Sequence, residues 1–226
     1  WGRVRSRSGA ALRMRGGWLE VLEKGAESGQ DRTTSLRPLV VTGPSGVGKG
    51  TLIQEVLKAF PGKFGFSVSH TTRPARPGEV DGQHYHFVSR PEMERAIEQG
   101  LFLEHARVHG NIYGTSLAAV EAVRCEGKVC ILDIDVQGVQ TLKRSGHLPD
   151  AHLVFIAPPS REVLMQRLQK RGTEDEESIK LRTSAARAEL EYGAQPGNFH
   201  RIIINDDLIK AAAAFKSVLQ DFYPHL

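Results

Sequence analysis

Residues 43–51 read Gly-Pro-Ser-Gly-Val-Gly-Lys-Gly-Thr, and they directly follow the apolar run at residues 39–41. Glycines at this spacing let backbone N–H groups converge on an anion without side-chain collisions. A helix that begins after such a turn adds its positive end, and the lysine supplies a compact cation for the outer phosphates. This order of strand, glycine-rich turn and lysine predicts a binding loop for a nucleoside triphosphate.

All nine residues of the loop are predicted to contact the triphosphate: Gly43, Pro44, Ser45, Gly46, Val47, Gly48, Lys49, Gly50 and Thr51. The loop departs from the usual pattern at Gly50, because a Ser or Thr normally follows the lysine and ligates Mg²⁺. Thr51 is then the nearest hydroxyl for the loop or the metal. We therefore expect magnesium to be held by phosphates, waters and acids.

The charge distribution limits the classes of partner. The chain has 226 residues, of which 40% are hydrophobic and 25% charged, as expected for one globular domain with insertions. Residues 1–37 hold 8 Lys and Arg against 4 Asp and Glu, whereas the remaining 189 residues hold 22 of each. Because residues 38–226 have no net charge, a nucleic-acid-binding face is not expected there. No apolar run approaches the ~20 residues that a membrane-crossing helix needs, so no membrane is predicted either.

Residues 1–35 form a basic leader. Before the first acidic residue, Glu20, five arginines are interleaved with serines and small residues: Arg3, Arg5, Arg7, Arg13 and Arg15. This composition resembles the end of an organellar transit peptide and predicts import into a plastid or mitochondrion, with the cytoplasm as the alternative. A disordered extension is the other interpretation. Because residue 1 is Trp, we expect the sequence to be a fragment or a processed form.

Short, nearly continuous apolar runs predict parallel strands covered on both faces: residues 39–41, 129–134, 153–156 and 202–204. Helical patterns lie between or after them at residues 51–59, 161–170, 176–192 and 208–222. The expected fold class is therefore α/β, with a three-layer core around a parallel sheet.

The stretch at residues 66–118 does not follow this alternation of apolar strands and helices. Residues 66–69 and 85–88 alternate like half-exposed strands around a Pro- and Gly-rich loop, which predicts a mainly antiparallel insertion. The core then comprises residues 36–65 and 119–226. Residues 170–187 are rich in both charge signs, and a helical lid is predicted at about residues 160–190.

Five further stretches carry a family resemblance: SHTTRPARPGE at 69–79, GQHYHF at 82–87, FLE at 102–104, NIYGT at 111–115 and ILDIDVQG at 131–138. Together with the phosphate loop, they resemble guanylate kinases from about residue 36 to residue 223. The resemblance implies a P-loop kinase core with a GMP-binding insertion and a lid, in an organellar plant or algal form. It also implies transfer of the γ-phosphoryl group of ATP to GMP or dGMP, with Mg²⁺ as the cofactor. We expect a monomer.

The resemblance also implies which residues bind GMP: Ser69, Arg73, Arg76, Tyr85, Glu104, Tyr113, Thr115 and Asp135. The chemistry of these side chains agrees with it. A carboxylate such as Glu104 can accept from both N1–H and the N2 amino group of guanine, whereas adenine presents an acceptor at N1. Two guanidinium groups and two phenols suit the phosphate of the acceptor nucleotide.

No general base is required, because a nucleoside monophosphate has a second pKa near ~6 and is mostly dianionic at neutral pH. Catalysis should come from alignment and charge stabilisation. The resemblance assigns the catalytic roles to Lys49, Arg73, Arg171 and Arg182. It assigns further ATP contacts to Arg167, Arg171 and Asn205. Asp133 is expected to contact hydrated Mg²⁺ indirectly, in the outer shell, and Thr51 is the other residue assigned to the metal.

Two alternatives remain open. Guanylate-kinase-like domains of membrane-associated scaffolds keep the fold but bind partner peptides, although they typically lack an intact phosphate loop. Loops of the Gly-Lys-Gly-Thr form also resemble adenylate kinases, so the acceptor could be another nucleoside monophosphate. The insertion at residues 66–118 argues against this second alternative.

Overall fold

The computed structural model describes residues 36–108, 110–170 and 176–225, and for residue 170 and residues 176–184 it describes the backbone alone. The predicted leader at residues 1–35 lies outside this description.

Five parallel strands form the core sheet, in the order β2-β7-β1-β8-β9. Their bounds are β1 Leu39–Thr42, β2 Phe64–Phe66, β7 Val129–Asp133, β8 His152–Ala157 and β9 Arg201–Ile204. All four residues of β1 are buried, because the strand lies at the centre of the sheet and is covered on both faces. The predicted α/β core with a parallel sheet is confirmed.

Four strands form a second sheet, in the order β4-β3-β6-β5. Their bounds are β3 His70–Thr71, β4 His86–Phe87, β5 Phe102–Val108 and β6 Asn111–Ser116. The β3–β6 and β5–β6 pairs are antiparallel, and the β3–β4 pair is parallel. This sheet is therefore mainly antiparallel.

The helices are α1 Lys49–Ala59, α2 Arg90–Glu98, α3 Leu117–Cys125, α4 Val136–Ser145, α5 Arg161–Lys170, α6 Glu176–Ala194 and α7 Leu208–Phe222. Side chains from α1, α5 and α7 pack on one face of the core sheet, and side chains from α3 and α4 pack on the other face. This arrangement gives the three layers that the apolar runs predict. None of the helices in the described ranges is long and apolar enough to span a bilayer.

One strand prediction is wrong. Residues 66–69 were expected to form a half-exposed strand of the insertion, but Phe64–Phe66 is β2 and pairs with β7 in the core sheet. Gly65 lies against Val123, where a Cβ atom would come within 2.5 Å of Cγ1. A three-residue strand with glycine at its centre has neither the apolar run nor the alternation that identifies a strand.

Candidate active site

A cleft of about 670 Å³ lies between the two sheets, where the carboxyl ends of β1 and β7 meet the second sheet. This position outside the carboxyl ends of parallel strands is the usual ligand site of an open α/β sheet. The cleft is lined by eleven of the predicted site residues: Gly43, Ser45, Lys49, Ser69, Arg73, Arg76, Tyr85, Glu104, Tyr113, Asp133 and Asp135.

Two glycines of the phosphate loop are required by its geometry. Gly43 has φ 147°, and a Cβ atom there would come within 2.2 Å of the carbonyl oxygen of Ile156. Gly48 has φ 98° and caps α1, and a Cβ atom there would come within 2.6 Å of Asn205 Nδ2. Side chains at either position would force the loop away from β8 or from the end of β9.

The loop is braced from the side of β9. Asn205, which is 6% exposed, donates a hydrogen bond from Nδ2 to the carbonyl oxygen of Val47 at 2.7 Å. Arg167 on α5 donates to the carbonyl oxygen of Asn205 at 2.8 Å and to that of Val47 at 3.5 Å. Both residues are predicted ATP contacts, and in this structure their side chains hold the loop and do not line the cleft.

Lys49 is the first residue of α1. Its Nζ donates to the carbonyl oxygen of Gly43 at 2.6 Å and lies 3.9 Å from Asp133 Oδ1. The ammonium group is thus folded back over the loop and reaches the acidic end of β7. Thr51 is exposed and does not line the cleft, so its predicted metal role stays a prediction.

Opposite the loop, Arg73 is held in a fixed orientation. Its guanidinium donates to both carboxylate oxygens of Glu79, at 2.8 and 2.9 Å, and lies 5.4 Å from the centre of the Tyr85 ring. The backbone N–H of Arg76 donates to the same carboxylate at 2.7 Å. These donors lower the pKa of Glu79 to about 2. The Tyr85 and Tyr113 rings meet edge to face, 5.9 Å apart, beside this group.

Glu104 lies at the other end of the cleft, on β5. It is 4% exposed, and burial raises its pKa to about 7, against the opposing effect of hydrogen bonds from the Thr115 side chain and backbone. The hydroxyl groups of Thr115 and Ser69 are 3.3 Å apart. Glu104 and Ser69 therefore line the cleft, and Thr115, which does not line it, contacts both side chains.

Asp133, Asp135 and Glu189 place three acidic groups around the cleft near Lys49. Burial raises the pKa of each, and for Glu189 it does so to about 7. The charge of Lys49 acts in the opposite direction on all three. Asp135 also caps α4, where its carboxylate accepts from the N–H of Gly138 at 2.7 Å.

The cleft includes residues that the sequence analysis did not assign. Gln137 and Glu189 line it, and Glu79 and Gly138 support residues that do. Glu79 and Gly138 lie inside stretches that carry the family resemblance, so the sequence held a signal for them. Glu189 lies on α6, far along the chain, and only the packing of α6 over the cleft brings it to the site.

Several predicted residues do not line the cleft, namely Pro44, Gly46, Val47, Gly48, Gly50, Thr51, Thr115, Arg167 and Asn205. Most of them form the back of the phosphate loop or brace it. Arg171 lies outside the described residues. Arg182 lies on α6, in the part where the backbone alone is described.

A phosphate loop and a polar, arginine-containing second sheet that share one cleft define an α/β P-loop protein of the nucleotide-binding class. The family model for "Guanylate kinase" matches residues 35–222. The chain therefore belongs to the guanylate kinase family.

Named relatives agree with this family. The chain is 54% identical over 183 residues to "Guanylate kinase 1" of Oryza sativa subsp. japonica, which covers 81% of this chain and 47% of that protein. It is 50% identical over 187 residues to "Guanylate kinase" of Sus scrofa, covering 83% and 93%. The chain spans about half the length of the rice protein and of a similar one from Arabidopsis thaliana.

A solved structure is also similar. The guanylate kinase from Anaplasma phagocytophilum has a TM-score of 0.62 and 29% identity, and the match covers 84% of this chain and 87% of that one.

Proposed function

We propose that this protein transfers the γ-phosphoryl group of ATP to GMP or dGMP, giving ADP and GDP or dGDP. The observation that supports this proposal most directly is the single cleft that joins the phosphate loop to Arg73, Arg76 and Glu104. A donor triphosphate on the loop and an acceptor nucleotide on the second sheet would meet there. The names of the similar proteins agree with this reaction.

The acceptor phosphate would be held by Arg73, Arg76, Tyr85 and Tyr113. Two anionic phosphates that approach each other in a cleft of lowered dielectric repel, so cations must lie between and around them. Glu79 orients the Arg73 guanidinium group, and such preorganisation reduces the ordering that binding requires. The phenols add neutral donors without further charge.

The guanine base would be read by Glu104, with Ser69, Thr115 and Asp135 around it. As a carboxylate, Glu104 can accept from both N1–H and the N2 amino group of guanine. Adenine has a hydrogen-bond acceptor at N1, so the buried carboxylate of Glu104 would face another acceptor and have no donor. The burial of Glu104 makes that mismatch costly, because water cannot supply the missing hydrogen bond.

The transfer step would rely on alignment and charge stabilisation, with Lys49 on the donor phosphates and Arg73 on the acceptor phosphate. Arg167, Arg171 and Arg182 would add charge from the lid. No residue is needed as a general base, because the attacking phosphate oxygen is already ionised at neutral pH.

The residues present fit Mg²⁺ that is carried by the phosphates. Asp133 and Asp135 line the cleft beside Lys49, and within the described ranges no group of three or more His, Cys, Asp or Glu could hold a metal ion alone. Such a donor set suits a largely hydrated ion rather than a protein cage. Asp133 would contact its water shell, and Thr51 is the hydroxyl proposed for the metal, although it does not line the cleft. When bound, Mg²⁺ neutralises charge on the phosphates.

We further propose residues 36–65 and 119–226 as the core, residues 66–118 as the GMP-binding insertion and residues 160–190 as the lid. Residues 1–35 would be a leader that directs the protein to a plastid or mitochondrion, with the cytoplasm as the alternative. We expect a monomer that binds neither nucleic acid nor membrane.

The test is ADP production in steady state with ATP·Mg²⁺ and each of GMP, dGMP, AMP, CMP and UMP as acceptor. Turnover confined to the guanine nucleotides is the expected result. Turnover with AMP at a similar rate would instead make the protein a kinase for another monophosphate. No turnover with any acceptor, while GMP still binds, would favour a binding scaffold.

A further inference from the structure

Gly138 is the third residue of α4 and is buried beside the cleft. Its N–H donates to the capping carboxylate of Asp135 at 2.7 Å, a contact that any residue other than proline would keep. Glycine in a helix lowers stability by roughly 0.5–1 kcal/mol relative to alanine. The φ of Gly138 is not positive, so the backbone conformation gives no reason for glycine here.

Space gives the reason. A Cβ atom on Gly138 would lie 2.6 Å from Glu104 Oε2 and 3.2 Å from Glu104 Cδ. The next neighbour, Ile134 Cβ, would be 3.3 Å away. Only the contact with the carboxylate oxygen is closer than any normal carbon–oxygen approach. The missing side chain therefore makes room for Glu104 in particular.

Glu104 has little freedom to move away from such a Cβ atom. Its side chain is buried, and hydrogen bonds from Thr115 hold the carboxyl group from the side of β6. Gly138 belongs to a helix that packs on the core sheet, whereas Glu104 belongs to the second sheet. Helix α4 and the second sheet thus meet at a glycine and a carboxylate, directly beside the cleft.

We propose that Gly138 is a specificity-determining positioning residue, because its lack of a side chain lets the first turn of α4 fix the Glu104 carboxylate where it meets the purine base. This inference rests on the proposed role of Glu104 in reading guanine. Gly138 itself does not line the cleft, so its effect on the acceptor base would be exerted through Glu104.

The test is Gly138→Ala, measured as kcat and KM for GMP, AMP and ATP. A methyl group at this position must displace the carboxylate by most of an ångström, and such a misplacement can lower activity by about 10- to 100-fold. We expect this loss to fall mainly on KM for GMP and on the preference for GMP over AMP. KM for ATP should not change. Gln140→Ala, on the same helix and away from the cleft, is the matched control and should leave all parameters unchanged.

A double-mutant cycle with Glu104→Ala separates the possible outcomes. If Gly138 acts through Glu104, Gly138→Ala should weaken GMP binding, measured by calorimetry, in the wild type and have no effect in the Glu104→Ala background. Unchanged GMP binding in folded Gly138→Ala, or equal losses in both backgrounds, would overturn the inference.

Thermal unfolding keeps the test decisive if Gly138→Ala is unstable. Relief of the close contact by Glu104→Ala predicts a higher Tm for the double variant than for Gly138→Ala alone, and a Tm that is not restored would overturn the inference. A Glu104→Ala protein that still prefers GMP to AMP as strongly as the wild type would contradict the proposed base reader itself. That result is distinct from a failure at Gly138.

Discussion

Replacing Glu104 with glutamine should make the unliganded protein more stable at alkaline pH while removing its preference for guanine. Glu104 is 4% exposed, and burial raises the pKa of its carboxyl group from 4.5 to about 7. Between pH 4.5 and pH 7, the native state therefore keeps a proton on Glu104 that the unfolded chain has released. The contribution of the Glu104 carboxyl group to stability is complete below pH 4.5 and is lost as the pH rises through 7.

The size of the effect follows from the shift in pKa. At about 1.4 kcal/mol per pH unit, a rise from 4.5 to about 7 corresponds to about 3 kcal/mol of lost stability above pH 7. Glutamine has nearly the same shape and no charge to bury. Glu104→Gln should therefore exceed the wild type in free energy of unfolding by up to about 3 kcal/mol at pH 8, and the difference should disappear towards pH 5.

Urea unfolding of both proteins at pH 5, 6, 7 and 8 measures this difference, and turnover with GMP and AMP measures the loss of discrimination. Glu79→Gln is a useful control, because the pKa of Glu79 is lowered to about 2 by Arg73 and so its charge does not change between pH 5 and 8. The difference in free energy of unfolding between Glu79→Gln and the wild type should be constant from pH 5 to pH 8. Parallel stability curves for Glu104→Gln and the wild type would refute the reasoning.

Four other changes test the remaining assignments. Lys49→Ala should lower kcat by about 10²-fold or more, while GMP binding, measured by calorimetry, is retained. Equal losses in kcat and in GMP binding would indicate misfolding instead. Arg73→Lys should raise KM for GMP by about tenfold, through loss of a charge-assisted hydrogen bond, and an unchanged KM would remove Arg73 from the phosphate site. Gly48→Ala should lower the free energy of unfolding by about 1–3 kcal/mol because its φ is positive, and an unaltered urea midpoint would contradict that strain. Deletion of residues 1–30 should leave ATP–GMP turnover intact, since no residue of the proposed site lies there, and a large loss of activity in the folded protein would overturn the leader prediction.

The parallel core could be predicted from the sequence because its strands are buried on both faces and therefore appear as uninterrupted apolar runs. The strand at residues 129–133 differs from its predicted range by one residue at one end, and the strand at residues 152–157 by one residue at each end. The strand at residues 64–66 could not be found this way. Its assignment to the core depends on pairing with a partner more than sixty residues along the chain, which no local pattern encodes.

The candidate site shows the same division between local and distant information. The phosphate loop could be predicted because its chemistry is contained in nine consecutive residues. The residues of the second sheet were named only through the family resemblance, and their roles remain predictions. Neither Glu189 nor the contact between Gly138 and Glu104 could be foreseen, because each arises where separate layers of the fold pack together.

The bracing of Val47 by Asn205 and Arg167 has a thermodynamic consequence for the phosphate loop. A glycine-rich segment loses much conformational entropy when it is ordered, at about 1–2 kcal/mol for each residue fixed. Hydrogen bonds from the end of β9 and from α5 hold this segment at Val47. Part of the loop's entropy is therefore lost during folding, which lowers the ordering cost of binding a triphosphate.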